Sequence, residues 1–431
     1  MRILHLSDIH IGVETYGRPA TEDDLDALPA SFAPGVRRHT TYLGLSTRLL
    51  DFLSTLDSVV EFATREQVDL VLFAGDAYRS RDPSQTHQRE FARRVATLAS
   101  RGIPVFLLTG NHDLPAAPGR ATALDIFTTL QVPLVQTADL LTTYLVETRS
   151  GPLQVVALPW ARRGGMLSRQ GPRGMSIEDL TRQMEQELGD RIRAEAEDLD
   201  PKVPAVLVAH ATVAGAVTSS ERSMMLGRDY VLQRSDVALP AFDYVALGHI
   251  HKHQVLGERP PVVYSGSLQR VDFSEEDDVK GFCLVEIDAA LPRGGRATWE
   301  FVPVDARPFV TIEVKVPADA DDPTGLVLRA IARRTVDGAV VRVHIQAPAE
   351  AATRLNDRAV RDALNEAHAI AAITREVPQE RRTRLSQGAQ GIEPKEALHL
   401  YLEGRQGVTE TMRRWALHSG FELIDEERDG E

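Results

Sequence analysis

The sequence predicts an α/β fold: a layered mixed-sheet sandwich (α/β/β/α), a small α+β domain and C-terminal helices. Short apolar runs alternate with amphipathic helical stretches as far as about residue 305. The runs from Val262 onward follow one another without helices, which predicts antiparallel strands there. From Pro308 the pattern changes to a shorter series of alternating strand and helix signals, which indicates a second domain.

Each predicted strand of the first part is a short apolar run. The strands are Arg2–Ser7, Val68–Ala74, Val105–Thr109, Leu153–Leu158, Ala205–Ala209, Tyr244–Leu247, Val262–Ser265, Gly281–Ile287 and Thr298–Val302. Apolar residues from Leu45 to Phe62 recur at helical spacing, and Phe91, Val95 and Leu98 mark another helix after Asp82. The segment Glu14–Gly35 contains three prolines and is interpreted as a surface insertion.

The predicted domain boundaries are 1–305 for the sandwich, 306–378 for the small domain, 379–394 for a polar linker and 395–431 for the terminal helices. In the small domain, strands at Val310–Val316 and Val340–Ile345 alternate with helices at Thr324–Thr335 and Arg358–His368. The terminal helices are amphipathic. They either pack against the chain's own surface or dock into a partner's groove.

Composition sets limits on the class of protein. The chain of 431 residues carries a formal net charge of -13, which argues against binding nucleic acid through the overall field but leaves a nuclease open. No apolar run could span a bilayer, and the first strand reaches Asp8 without a secretory leader. The single cysteine, Cys283, has apolar neighbours and is expected in the core. A cytoplasmic, nucleoid-associated protein is therefore expected.

Polar residues that can bind metal follow the predicted strands at the carboxyl edge of the sheets. They are Asp8, His10, Asp76, Asn111, His210, His249 and His251. Imidazole, carboxylate and amide ligands suit borderline-hard divalent ions such as manganese, iron or zinc. His5 and His253 are predicted to lie outside this ligand set.

Asp76 ends a central strand, so it is placed to bridge two ions. Two ions about 3.5–4 Å apart can clamp an in-line phosphoryl displacement. His112 can stabilise developing charge or protonate the leaving oxygen. Asp113 either orients His112 through its other ring nitrogen or caps a helix ahead of Leu114, and both roles can hold together.

The order DxH, GD, GNHD, H and GHxH resembles the calcineurin-like metallophosphoesterases. Within them, the chain resembles the SbcD family, the nuclease subunits of bacterial SbcC–SbcD complexes, which are related to the eukaryotic meiotic-recombination nuclease. The likeness is carried by the stretches 2–12, 71–76, 102–113 and 244–252, and by Tyr-Ser-Gly-Ser-Leu-Gln-Arg at 264–270 with Phe273-Ser-Glu-Glu and Lys280-Gly-Phe after it.

The resemblance implies one ion on Asp8, His10, Asp76 and His251, and a second on Asp76, Asn111, His210 and His249. It implies two divalent ions, manganese in the family, with His112 as the catalytic histidine. The small domain would be a cap that positions DNA. The terminal helices would bind the coiled coil of an SbcC-type, SMC-like ATPase, and helices at about 86–100 and 121–130 would form a homodimer.

The sequence departs from the family after Gly75-Asp76. The family usually places Phe-Asp there, whereas this chain has Ala77-Tyr-Arg-Ser-Arg-Asp82. Arg79 and Arg81 either contact DNA or balance the acidic site. The Glu14–Gly35 segment is also longer than family members commonly carry.

The predicted function is metal-dependent hydrolysis of DNA phosphodiesters in DNA end processing, repair and recombination. The resemblance implies a 3′→5′ exonuclease on double strands and an endonuclease on single strands and hairpins. One alternative is a phosphatase or small-substrate phosphodiesterase. It is disfavoured by the separate cap and because no arginine adjoins His112 in the sequence. A non-catalytic DNA-end scaffold ranks last because all predicted ligands are present.

Overall fold

The computed structural model describes residues 1–115, 119–162, 176–218, 229–377, 394–403 and 409–428. The chain divides into two compact units, Met1–Glu376 and Val377–Glu431. The predicted linker at 379–394 lies outside the described residues, apart from Pro394. Among the described helices, none has the length and apolar character needed to cross a membrane.

Two six-stranded sheets form the larger part of the first unit. The strands of the first sheet are β1 (Arg2–Leu6), β2 (Leu70–Phe73), β3 (Val105–Leu108), β4 (Val135–Ala138), β13 (Gly281–Ile287) and β14 (Ala297–Pro303). Their order is β14-β13-β1-β2-β3-β4, in which β1 to β4 are parallel and β13 and β14 are antiparallel additions.

The strands of the second sheet are β5 (Thr142–Thr148), β6 (Gly151–Leu158), β7 (Ala205–His210), β10 (Tyr244–Gly248), β11 (Gln254–Glu258) and β12 (Pro261–Tyr264). Their order is β11-β12-β10-β7-β6-β5. A separate two-stranded ribbon is formed by β8 (Thr212–Val213) and β9 (Val231–Leu232).

The two sheets pack face to face through a buried core that includes Leu72, Phe106, Val155 and Val208. The helices of the sandwich are α1 (Glu22–Asp26), α2 (Arg38–Tyr42), α3 (Thr47–Arg65), α4 (Gln85–Ser100), α5 (Asp125–Thr129), α6 (Ile177–Glu197) and α7 (Arg234–Val237). Helices cover both outer faces, with α3 and α4 in the core of the first sheet and α6 in that of the second. The predicted α/β/β/α sandwich is confirmed.

The structure corrects the predicted strand directions at one place. The run from Val262 was expected to be antiparallel, but β12 is parallel to β10 and antiparallel only to β11. A hairpin from β11 reverses the chain, so β12 runs with the central strands again. Among the strands of the two sheets and the long helices, β4, β5, β11 and α6 were not predicted, nor were the short elements α1, α2, α7, β8 and β9.

The small domain is a three-stranded parallel sheet, β15 (Phe309–Lys315), β16 (Val340–Gln346) and β17 (Ala369–Glu376). Helices α8 (Pro323–Ala332), α9 (Ala349–Thr353) and α10 (Asp357–Asp362) accompany a separate apolar core. The predicted helix at Arg358–His368 is therefore too long, and β17 was missed. Burial along β17 does not alternate cleanly, so its sequence carries a weak strand signal.

Polar contacts hold the small domain against the sandwich. Arg307 Nε lies 2.6 Å from Asp51 Oδ2 of α3, and the backbone N–H of Thr311 donates to Glu276 at 2.8 Å. His368 Nε2 lies 3.0 Å from the hydroxyl of Thr47. The two parts share one compact unit, so the boundary at 305 stays a prediction.

The segment Glu14–Gly35 is ordered against the sandwich. Phe32 is fully buried, its ring meets Tyr42 edge-on, and Leu25 of α1 is also buried. The second unit contains α11 (Pro394–Glu403) and α12 (Glu410–Arg428), which pack together around Leu398 and Gly420. The apolar side chains of Tyr401, Met412 and Trp415 are exposed.

Candidate metal centre

The seven predicted metal ligands lie at the carboxyl ends of β1, β2 and β3 in one sheet and of β7 and β10 in the other. All seven side chains are buried. Because the two sheets pack face to face, their ligand-bearing ends meet in one place. The structure brings the whole predicted set together.

The backbone turns sharply at four of these ligands. Asp8, His10, Asp76 and His249 have positive φ values of 52°, 51°, 59° and 96°. This left-handed region is disfavoured for residues with a Cβ, and such strain clusters at functional sites. Each turn aims a side chain from the end of its strand into the site instead of continuing the strand.

Glycines beside the ligands provide the space that the site needs. A Cβ on Gly75 would overlap the ring of His210, and a Cβ on Gly110 would overlap the carboxylate of Asp76. Gly75 also has a φ of 99°. The glycines of the GD and GN motifs are therefore required by the close approach of ligands from neighbouring strands.

The first group of donor atoms surrounds His10. Its Nε2 lies 2.8 Å from Nε2 of His251, 4.0 Å from Oδ1 of Asp8 and 3.8 Å from Oδ2 of Asp76. Two ring nitrogens and two carboxylates therefore converge on one point, and Asp8, His10 and His251 can serve one ion together.

The second group surrounds the side-chain oxygen of Asn111. Oδ1 of Asn111 lies 2.8 Å from Nε2 of His210 and 3.1 Å from Nδ1 of His249. Oδ2 of Asp76 lies 3.4 Å from Nε2 of His210. Asp76 thus lies within reach of both groups, as predicted for a bridging ligand.

These residues fit a pair of divalent ions. His10 Nδ1 is buried and has no hydrogen-bond partner within the described part of the chain. Burial disfavours a charged His210, but the carboxylates of Asp76 and Asp8 outweigh burial and raise the pKa of His210 to about 9. The buried carboxylates therefore attract positive charge, and the nitrogen and oxygen donors suit borderline-hard ions.

A buried ion pair supports His251 from behind. Nδ1 of His251 lies 2.8 Å from Oε1 of Glu275, and Oε2 of Glu275 lies 2.7 Å from Nζ of Lys280. The side chains of Glu275 and Lys280 are fully buried. Burial opposes ionisation of Glu275, but His251 and Lys280 outweigh it and lower its pKa. This carboxylate fixes the ring so that Nε2 faces the site.

The support behind His210 and His249 is different. His210 Nδ1 lies 2.7 Å from the carbonyl oxygen of Ala74. His249 Nε2 lies 3.2 Å from Oδ2 of Asp229, whose side chain is 22% exposed. Trp160 packs against His249 with ring centroids 4.8 Å apart. None of the supporting residues Glu275, Lys280, Asp229 and Trp160 was predicted, although the 273–280 motif had pointed to two of them.

His112 lies at the edge of the donor groups. Its backbone N–H donates to Oδ1 of Asp76 at 2.8 Å, and its ring meets that of His10 edge-on with centroids 5.0 Å apart. Burial lowers the pKa of His112, which favours a neutral imidazole. Its Nδ1 lies 3.0 Å from the carbonyl oxygen of Arg79, and donation to that oxygen leaves Nε2 for a reacting group.

The structure corrects the predicted role of Asp113. Its carboxylate accepts hydrogen bonds from the backbone N–H groups of Asp76, Ala77 and Gly110 at 2.9, 3.1 and 3.0 Å. The chain at residues 111–113 forms a turn, and the helix that Asp113 was predicted to cap would extend into residues outside the described part of the chain. Asp113 therefore joins the loops after β2 and β3. The contact with Nδ1 of His112 that was predicted for Asp113 is made by the carbonyl oxygen of Arg79.

A second correction concerns arginine. The sequence has no arginine next to His112, yet the fold brings Nη1 of Arg79 within 3.3 Å of His112 Nδ1. The loop after β2 crosses towards the loop after β3, which sequence spacing does not reveal. The absence of a nearby arginine therefore no longer counts against a phosphatase.

A family model for calcineurin-like phosphoesterases matches residues 1–253, more than half of the chain. The chain belongs to this family. Membership agrees with the predicted fold and with the prediction of a metal-dependent phosphoesterase.

The chain is also similar to two proteins whose names describe them as the SbcD component of the SbcCD nuclease. The one from Escherichia coli K12 is 26% identical over 283 residues, covering 64% of this chain and 62% of that protein. The one from Bacillus subtilis 168 is 28% identical over 312 residues, covering 70% and 69%. The chain thus spans less than two thirds of the Escherichia coli relative. The crystal structure of TT1561 of Thermus thermophilus is 14% identical with a TM-score of 0.34, covering 70% of this chain and 98% of that one.

Proposed function

We propose that this protein is a dinuclear-metal phosphodiesterase that cleaves DNA. The observation that carries the proposal is the position of Asp76, whose Oδ2 lies 3.8 Å from His10 Nε2 and 3.4 Å from His210 Nε2. One carboxylate between two groups of donors is the arrangement that two ions acting on one phosphate require. We propose manganese as the ion in the cell, following the family resemblance.

Each residue has a role in this proposal. Asp8, His10 and His251 would hold one ion, Asn111, His210 and His249 would hold the other, and Asp76 would serve both. The ions, when bound, supply Lewis acidity and lower the pKa of a water molecule. His112 keeps Nε2 directed to the substrate and moves a proton to or from the reacting oxygen. Asp113 holds the two loops that carry Asp76 and His112.

The names of the two relatives support a nucleic acid as the substrate, because they describe nuclease components. We propose 3′→5′ exonuclease action on double strands and endonuclease action on single strands and hairpins, in end processing, break repair and recombination. The small domain at 306–378 is proposed to position DNA as a cap. The nucleoid as the place of action stays a prediction.

The second compact unit supports a protein partner. Tyr401, Met412 and Trp415 expose 52%, 62% and 71% of their surface on two short amphipathic helices. Exposed apolar side chains of this kind mark docking surfaces. We propose that residues 395–431 bind an SbcC-type, SMC-like ATPase and that the nuclease works as a homodimer. That the helices pack on the chain's own surface remains the alternative.

A phosphatase or small-substrate phosphodiesterase remains the second candidate function. Arg79 favours it, because a guanidinium 3.3 Å from His112 Nδ1 can bind a terminal phosphate. The small domain and the terminal unit favour the nuclease, since a small substrate needs neither. A non-catalytic scaffold ranks last because the whole ligand set converges.

The test is a cleavage assay with purified full-length protein, Mn²⁺, and end-labelled duplex, hairpin and single-stranded DNA. A phosphomonoester is assayed in parallel. We expect DNA cleavage without monoester turnover, and loss of cleavage in His112→Ala with both ions still bound. Monoester turnover with intact DNA would replace the proposal by the phosphatase. A His112→Ala protein that cleaves at the wild-type rate would remove that residue's role.

A further inference from the structure

Three arginines lie on the His112 side of the site. Arg79 and Arg81 follow β2, and Arg162 follows β6. Arg79 Nη1 lies 3.3 Å from His112 Nδ1, and Arg162 Nη2 donates at 2.5 Å to the carbonyl oxygen of Pro115, three residues beyond His112. The two loops thus place these side chains along one flank of the catalytic histidine.

Among the described residues, no carboxylate forms an ion pair with any of these three arginines. Arg94, in contrast, contacts Asp57 at 2.6 Å, and Arg307 contacts Asp51. In a chain with 62 acidic and 49 basic residues, three arginines without such a partner leave positive charge on this flank of the site. Burial lowers the pKa of Arg162, and the charge of Arg81, which follows Arg79 by two residues on the same loop, lowers it further.

We infer that Arg79, Arg81 and Arg162 form an arginine rim that binds the phosphates of one DNA strand beside the scissile phosphodiester. The inference rests on the proposed function. Guanidinium groups present several N–H donors to phosphate oxygens and remain charged at any working pH. Phosphate contacts fix the register of a strand without selecting its sequence. The rim therefore selects a chain of phosphates over a single one.

Arg79 and the other two arginines contribute at different distances from the reaction. Arg79 lies against His112, so it binds the scissile phosphate or its nearest neighbour. Arg81 is exposed and Arg162 lies beyond the turn at Pro115, so they reach phosphates further along the strand. A substrate that ends at one phosphate contacts Arg79 alone, whereas a DNA strand contacts all three.

Strand binding is measured without cleavage. Fluorescence anisotropy with labelled oligodeoxythymidine, full-length protein and EDTA gives Kd over a series of salt concentrations. For single strands, each phosphate contact contributes about 0.7 to the slope of log K against log salt. We expect the Arg79→Ala, Arg81→Ala and Arg162→Ala triple variant to lower the slope by about 2 and to raise Kd at least tenfold. A triple Arg→Lys variant, which keeps the charge, should retain binding within a few-fold.

The matched control is a set of paired arginines elsewhere. Arg65→Ala at the far end of α3, with Arg182→Ala and Arg193→Ala on α6, changes net charge by the same amount and should leave Kd and slope unchanged. If the alanine triple variant kept the wild-type Kd and slope, the proposal that the arginine rim binds DNA would be wrong. An equal loss in the control triple would also contradict it, because overall charge would then explain the effect.

Kinetic measurements test the arginine rim independently of the proposed nuclease function. With Mn²⁺, kcat/KM is measured on single-stranded DNA and on bis(4-nitrophenyl) phosphate, a diester with one phosphate. We expect Arg81→Ala and Arg162→Ala to lose several-fold more on DNA than on the small diester. Equal losses on both substrates would overturn the rim while leaving the nuclease intact. Wild-type protein that neither binds nor cleaves DNA would defeat both proposals together.

Discussion

The two halves of the metal centre are supported in different ways. On one side, His251 is held by Glu275 at 2.8 Å, and Glu275 by Lys280 at 2.7 Å, with both supporting side chains fully buried. On the other side, His249 contacts Asp229 at 3.2 Å, and Asp229 is 22% exposed. The first half is thus fixed by the core of the protein, whereas the second borders solvent.

This difference predicts that the two ions bind with unequal affinity. A carboxylate behind a metal-bound histidine fixes the ring and raises its basicity, and burial strengthens that effect because water does not compete. The half at His251 is therefore expected to be preorganised and to bind its ion tightly. The half at His249 is expected to exchange its ion more readily, and variants on either side can test this difference.

The largest effect is expected from Asp76, which the two halves share. Asp76→Ala removes the bridging carboxylate, so both ions lose a ligand and DNA cleavage should fall at least about a thousandfold. Steady-state cleavage assays and metal titration by calorimetry measure the two losses. A variant that keeps one tight ion and most of its activity would show that Asp76 serves one half only.

Substituting the buried Lys280 should lower the free energy of unfolding more than substituting any residue that supports His249. Lys280→Met leaves Glu275 without its cation, and breaking a buried pair costs about 3–5 kcal/mol. Denaturant unfolding of the metal-free protein measures this loss. The double variant Lys280→Met with Glu275→Leu should recover much of the stability. Failure to recover would mean that other contacts of the pair carry the stability, either those of Lys280 with Ser267 and the His251 carbonyl or those of Glu275 with His251 and Val271.

The two supporting carboxylates can be compared directly. Glu275→Gln should weaken the tighter ion about 10–100-fold, as loss of a supporting partner typically does. Asp229→Asn is expected to weaken the other ion less than about tenfold, because solvent already weakens its contact with His249. Calorimetric Mn²⁺ titrations of both variants give the two ratios. Equal losses, or a larger loss in Asp229→Asn, would contradict the proposed asymmetry.

The last effect is that of pH on the buried core of the first sheet. His5 of β1 is fully buried, and burial lowers its pKa from 6.5 to about 3. Its folded-state pKa is depressed, so stability is complete above pH 6.5 and falls as protons bind the unfolded chain. Between pH 7 and 5 the loss is about 2 kcal/mol. Urea unfolding of wild-type and His5→Gln protein at both pH values should show a smaller loss in the variant. An identical loss would assign the acid sensitivity to other groups.

The ligand set could be predicted because each member ends a strand that the sequence marks clearly. Apolar runs such as Val105–Leu108 stop at a polar residue, and parallel strands bring such ends together. The local pattern of apolar runs was sufficient to predict these ligands, because the direction of the strands decides where their side chains meet.

Other features depend on three-dimensional proximity. Arg79 and His112 are 33 positions apart, and only the crossing of two loops brings them into contact. Glu275 and Lys280 belong to a charged stretch of the sequence, and no local signal shows that both side chains are buried. The helix α6 was missed because it is largely polar, with few apolar residues such as Met184, Leu188 and Ile192 facing the core.

The glycines beside the ligands carry a consequence for protein engineering. Transplanting the seven donor side chains onto another α/β scaffold would not reproduce the centre, since Gly75 and Gly110 leave the room into which His210 and Asp76 fit. A designer would have to copy the empty volume together with the donors. By the same logic, a diverged homologue with every ligand intact but an alanine at either glycine should be suspected of having lost its catalytic centre.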